Sequence, residues 1–107
     1  MAKTSLGLDE NVEAALSYVL GFLTGIVFYL LEKESKFVRF HAMQSIVVFL
    51  SIAVLQKVLM FIPFFGWLVS WLLGLLGFAL WIVLIIKAYQ GEMFRVPVAG
   101  DFAEKYV

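Results

Sequence analysis

The run Ala14–Leu31, AALSYVLGFLTGIVFYLL, carries no charged side chain. As one helix it would measure about 27 Å at ~1.5 Å per residue. That nearly matches the roughly 30 Å hydrocarbon core of a bilayer. Lipid cannot satisfy unpaired backbone groups, so a helix is the expected form. Asp9 stands before the run as an expected N-cap, and Glu10 and Glu13 fall in the first turn, where acids suit the helix dipole. A secretory signal has a basic stretch ahead of its apolar run. Here Lys3 is the one basic residue in that position, so the run is expected to stay in the membrane.

Beyond this run, residues 34–44 are amphipathic. At helical spacing Phe37, Phe40, His41 and Gln44 share one side, and Lys36 and Arg39 fall away from it. This segment is expected to lie at the membrane surface and lead directly into a second span, 45–62. Pro63, Phe64, Phe65 and Gly66 form an uncharged turn. A third span covers 67–86, with Lys87 and Tyr89 at its end and Gly91 as a C-cap residue. Residues 1–8 and 92–107 read as tails. The expected fold is therefore all-α: a single membrane domain over 1–107, with three transmembrane helices and an interfacial amphipathic segment.

Composition agrees. Of 107 residues, 64 % are hydrophobic and 15 % charged, against roughly 45–50 % and 25 % in soluble domains. Mean hydropathy is +1.00. So small a soluble domain would need more polar surface than this chain has. The eight basic and eight acidic residues cancel, so no net field attracts nucleic acid, and lipid is the expected surrounding. Without cysteine there is no disulfide or thiolate chemistry. Basic residues favour the cytoplasmic side of short loops. Lys33, Lys36 and Arg39 in the first loop and Lys87, Arg95 and Lys105 beyond the third span outnumber Lys3. A multi-pass cell-membrane protein follows, with its N-terminus outside and its C-terminus in the cytoplasm.

Several residues stand out. Ser17, Gly21 and Gly25 form a small-residue stripe at four-residue spacing, and Ser70, Gly74 and Gly77 a shorter one. Such stripes let helices approach closely, either within one chain or between copies. Lys57, next to Gln56, is the one formal charge inside an expected span. Lys57 can snorkel to the surface, pair with an acid, serve solute or proton passage, or meet a partner. The three-span topology puts Glu13 near the same surface, so the two are expected to approach. His41, Gln44 and Ser45 form an interfacial polar cluster. A lone histidine with no cysteine makes no metal site. His41 and Ser45 lie one helical turn apart, but no acid at that spacing orients the histidine. No catalytic residue, cofactor site or metal site is expected. Trp67, Trp71, Trp81, Tyr18, Tyr29 and Tyr89 supply aromatic surface, some of it at the membrane boundaries, while Trp71 and Trp81 lie deeper and are expected to fill space between helices.

The stretch KFVRFHAMQS at 36–45, the turn IPFFGW at 62–67 and the closing IKAYQGE at 86–92 are the most distinctive parts of the chain. In this order they resemble a family of small prokaryotic membrane proteins. That family looks related to the channel-type subunit of the chloroplast inner-envelope import translocon, the Tic complex. The resemblance implies a helical membrane bundle with some self-association, and it brings no catalytic residue. The function expected is that of a non-enzymatic membrane protein that packs with itself as a homo-oligomer, or with a membrane protein partner in translocation or insertion. A subunit of a small oligomeric channel or transporter is the alternative.

Overall fold

The quoted run does not form one helix. In the computed structural model, which describes residues 3, 4 and 6–106, it divides into α1 (Glu10–Val19) and α2 (Phe22–Leu31). Between them Gly21 sits at φ 64°, ψ −133°, a conformation open to glycine and costly for any residue with a Cβ. The chain turns back there. The carboxyl of Glu10 accepts from the hydroxyl of Ser35, beyond the end of α2, and Glu13 meets Glu32. α1 and α2 are thus an antiparallel hairpin, each arm about 15 Å long by helical rise.

The amphipathic segment and the second apolar run form one unbroken helix, α3 (Lys36–Leu59). The Ser35 hydroxyl caps it by accepting from the Val38 N–H at 3.2 Å. α4 (Phe65–Tyr89) returns antiparallel beside it. Both are long and apolar enough to cross a membrane, and no other helix among the described residues is. The turn between them has Phe64 at φ 67°, closed by the Phe65 N–H to the Pro63 carbonyl at 2.8 Å. α4 ends as expected: Gly91 takes φ 82°. Glu92 N–H reaches Lys87 O at 3.0 Å and Gly91 N–H reaches Ala88 O at 3.1 Å, which satisfies the last carbonyls. Residues 92–98 then double back, and α5 (Ala99–Glu104) lies against α3.

The molecule is elongated, 49 × 21 × 21 Å. The short hairpin covers one half of the α3–α4 pair, here called the base. Gly21 faces Phe49 and Gly25 faces Ala42, so the α2 arm runs along the first half of α3. Asn11 bonds the Tyr89 carbonyl and Trp81 the Tyr18 carbonyl, so α1 runs along the last half of α4. The core lies in this base: Ala14, Tyr18, Val38, Leu84 and Ala88 are buried, with Phe28, Phe49 and Trp81 packed around them. The outer half of α3 and α4 projects beyond it.

Three expectations change. The expected span 14–31 is a folded-back pair of half-length helices, because Gly21 breaks the ladder. The two ends of the chain do not lie at opposite ends of the bundle: Glu10 bonds Ser35, and the Tyr29 hydroxyl bonds the Tyr106 carbonyl at 2.6 Å, so both sit at the base. Glu13 and Lys57 do not approach. Glu13 is beside the start of α3, while Lys57 lies roughly 30 Å further along that helix by its rise. The tails also carry structure. Thr4 N–H bonds Leu8 O at 2.7 Å and Lys3 pairs with Asp9 at 2.9 Å. Asp9 precedes α1, but its side chain makes no cap bond. Residues 1, 2, 5 and 107 of those tails lie outside the described residues.

Candidate functional site

A helix break among apolar side chains leaves backbone groups that must find partners. Here they find them on distant elements. The Ser45 hydroxyl of α3 donates to Gly21 O at 2.8 Å. The Trp81 indole of α4 donates to Tyr18 O at 2.7 Å and to Val19 O at 3.1 Å. The Leu20 N–H is taken by the Thr24 hydroxyl at 3.1 Å. Gly25 lets α2 close against α3: a Cβ there would stand 2.8 Å from Ala42 O and 3.0 Å from Ser45 Cβ.

Next to the break, Tyr18, His41 and Gln44 form a buried network. His41 Nε2 stands 2.9 Å from Glu92 O. A carbonyl only accepts, so Nε2 carries the hydrogen. In the neutral ring Nδ1 is then an acceptor, and the Tyr18 hydroxyl donates to it at 2.6 Å. The Gln44 amide donates to Tyr18 Oη and to Phe94 O, both at 2.9 Å. Its oxygen accepts from Val96 N–H at 2.9 Å. The network therefore holds residues 92–96 against α1 and α3. Aromatic edges of Phe37 and Phe40 enclose the histidine, 4.7 and 5.3 Å away by ring centroids.

At the open end of the hairpin lies a carboxyl pair, Glu13 and Glu32, both fully buried. Burial pushes the Glu13 carboxyl up to about 7; the Thr4 hydrogen bond opposes this and the neighbouring Glu32 adds to it. Arg39 closes the same end from α3, donating to Tyr29 O at 2.9 Å and Glu32 O at 2.8 Å.

The residues singled out in the sequence divide between two places. At the base are Glu13, Ser17, Gly21, Gly25, His41, Gln44 and Ser45. His41, Gln44 and Ser45 cluster as expected and are buried within the base. The Ser17 hydroxyl bonds Ala14 O at 2.6 Å within its own helix. In the outer half, Gln56 Nε2 donates to Ser70 O at 3.0 Å. Gly74 faces Gln56, and Gly77 faces Ile52. Gly21, Gly25, Gly74 and Gly77 thus pack within the chain. Lys57 is exposed near the end of α3. Trp71 is 65 % exposed and does not fill an interior. With Gln56, Met60, Trp67 and Ser70 it lines a cavity of about 620 Å³. Sequence reasoning missed Tyr18 as the hub of the network, Glu32 as the partner of Glu13, and the indole donor of Trp81. A tyrosine and a threonine inside the apolar run were the available signals.

An all-helical bundle with bare apolar flanks and a polar base is the architecture of a small membrane protein. The comparisons agree. The magnetosome magnetite crystal formation protein family (MamF_MmsF) matches residues 9–103. A UPF0132 membrane protein of Methanocaldococcus jannaschii is 60 % identical over 106 residues, 99 % of this chain and 96 % of the relative. A second from that organism is 48 % identical, covering 95 % and 73 %. One from Archaeoglobus fulgidus is 52 % identical, covering 94 % and 97 %. The chain belongs to this family of small membrane proteins, UPF0132 of the MamF/MmsF type. No solved structure matches it.

Proposed function

We propose that the chain is a non-enzymatic membrane protein that acts by association, with a second copy or with another membrane protein, from a two-crossing topology. α3 and α4, at about 36 Å each by helical rise, cross the bilayer. The α1–α2 hairpin enters from the base and turns back near mid-depth, since about 15 Å is half of a ~30 Å core. Irregular backbone at that depth needs protein partners, and Ser45 and Trp81 supply them. The base faces the cytoplasm, because seven basic residues (Lys3, Lys33, Lys36, Arg39, Lys87, Arg95, Lys105) sit there and Lys57 alone at the outer end. Both termini are then cytoplasmic.

The observation that carries association is a groove in the outer half lined by Gln56, Ser70, Trp71 and Gly74, since polar and small residues favour helix contact in lipid. Phe61 is 88 % exposed, and Phe64, Phe65, Trp67 and Trp71 are also largely exposed. Protein translocation or insertion, as the process served, rests on the sequence resemblance at 36–45, 62–67 and 86–92 alone. Photo-crosslinkers at Phe64 and Trp71, compared with one at Leu30 on α2, test the reading in native membranes. Discrete protein adducts are expected from the two outer positions. Lipid adducts alone at both would overturn it.

A channel subunit is the competing reading, favoured by the cavity between α3 and α4. Solute flux in reconstituted liposomes that is lost in Lys57→Leu would establish it. An intact oligomer passing no solute would remove it.

A further inference from the structure

Two carboxyl side chains meet where the α1–α2 hairpin closes. Glu13 stands in the first turn of α1 and Glu32 follows the end of α2, both with no exposed surface. Their surroundings differ. Glu32 Oε2 accepts from the backbone N–H groups of Glu34 at 3.0 Å and Ser35 at 2.9 Å, and two such donors favour the ionised form. Glu13 Oε1 accepts from the Thr4 hydroxyl at 2.7 Å. Glu13 Oε2 is buried and has no hydrogen-bond donor among the described residues. A bare anionic oxygen in that position is costly. A proton on it removes the cost and turns the contact with Glu32 from repulsion into a hydrogen bond.

Several neighbouring charges are engaged elsewhere, while Lys33 and Lys36, beside Glu32 in sequence, are exposed. From the N-terminal segment, Lys3 pairs with Asp9. On α1, Glu10 accepts from Ser35. On α3, Arg39 bonds two carbonyls and lies 4.2 Å over the Tyr29 ring. On α4, Lys87 pairs with Glu92 at 3.1 Å. Among the described residues Glu13 has no ion pair. The threonine also ties this pair to the N-terminal segment, because its oxygen accepts from Leu6 N–H and Leu8 N–H, each at 3.3 Å.

We infer that Glu13 and Glu32 form a proton-binding site, in which one proton held between two buried carboxyls fastens the N-terminal segment and both ends of the α1–α2 hairpin together. The titration belongs to the pair, since the two groups interact directly. Loss of the proton puts two negative charges side by side in a buried contact, and the hairpin base and Thr4 loosen.

Infrared spectroscopy of the full chain in lipid nanodiscs, titrated from acid to alkaline pH, reads the proton directly. The expected result is a protonated-carboxyl band that persists beyond the ordinary carboxylate range, disappears with a midpoint near 7, and is absent in Glu13→Gln. Two further variants fix the sign. Glu32→Gln removes a like charge and should lower the midpoint. Thr4→Val removes a bond that favours the ionised form and should raise it. A wild-type chain with no carboxyl titrating above the ordinary range, or a band unchanged in Glu13→Gln, would overturn the site. If Glu13→Gln does not fold, an unmoved or lowered midpoint in Thr4→Val would overturn it as well.

Discussion

The base and the outer half of this molecule are built from the same two helices and obey different rules. In the base, α3 and α4 are wrapped by α1, α2 and α5, and Tyr18, Phe40, His41, Gln44 and Leu84 are fully buried. In the outer half the same helices lean only on each other, and most large apolar side chains from Met60 to Trp71 are exposed. The base is held by specific hydrogen bonds and close backbone approach. The outer half depends on its apolar surroundings. Substitutions at matched positions should therefore differ sharply in cost.

The largest contrast is between two glycines. Gly25→Ala drives its methyl to 2.8 Å from Ala42 O and 3.0 Å from Ser45 Cβ, and overpacking of this kind costs typically 1–3 kcal/mol, occasionally more. Here the obstacle is backbone, so loss of the folded chain in detergent is expected. Gly77→Ala meets only Ile52, Cδ1 at 3.4 Å and Cγ2 at 3.8 Å, and should change stability by less than about 1 kcal/mol. Equal losses would break the comparison.

Second come the polar groups. Tyr18→Phe strips His41 Nδ1 and the Gln44 amide of a partner, and each buried group left unpaired costs about 1–3 kcal/mol. Gln56→Leu removes a single bond to Ser70 O, worth about 0.6 kcal/mol on average between membrane helices. Denaturant titration of both variants in the same micelles gives the ratio.

Third, the base should respond to pH. The folded chain holds the Glu13 proton up to about 7, whereas the unfolded chain releases it near the ordinary value of 4.5. Between those values the folded state binds more protons, so the contribution of Glu13 to stability is full below 4.5 and declines as pH rises to 7. Thermal unfolding should show this decline in wild type and a flatter profile in Glu13→Gln.

The smallest effect is at Val98, a β-branched residue at φ 70° and 80 % exposed. Strain of this kind costs on the order of 1–3 kcal/mol, partly offset by the added freedom of an unfolded glycine. Val98→Gly should raise the thermal midpoint slightly, and a fall would show that the turn at Pro97 is held by something other than backbone geometry.

Much of the outer half was legible in the sequence. The apolar runs, the amphipathic segment 34–44 that leads into the first of them and the Pro63–Gly66 turn place α3 and α4 to within a few residues, because in lipid the backbone has few alternatives to a helix. The Gly91 ending was legible for the same local reason. In the base, His41, Gln44 and Ser45 stood out as polar residues on an apolar face, and they do cluster. What they bind did not follow, since Glu92 O, Phe94 O and Val96 N–H lie about fifty residues away. The expected Glu13–Lys57 contact failed because it assumed that α1 crosses. Hydropathy cannot separate one 18-residue helix from two half-length ones, as both bury the same side chains.

Local composition alone sets this chain among apolar surroundings, makes it helical and locates its two long helices to within a few residues of α3 and α4 once the amphipathic segment is joined to the second run. Each of those follows from local composition and from the need to pair every backbone group. Only the tertiary structure decided that Ala14–Leu31 folds back. The bend at Gly21 leaves carbonyls that an isolated segment could not satisfy, and it is tolerable only where Ser45 and Trp81, from two other helices, arrive to bond them.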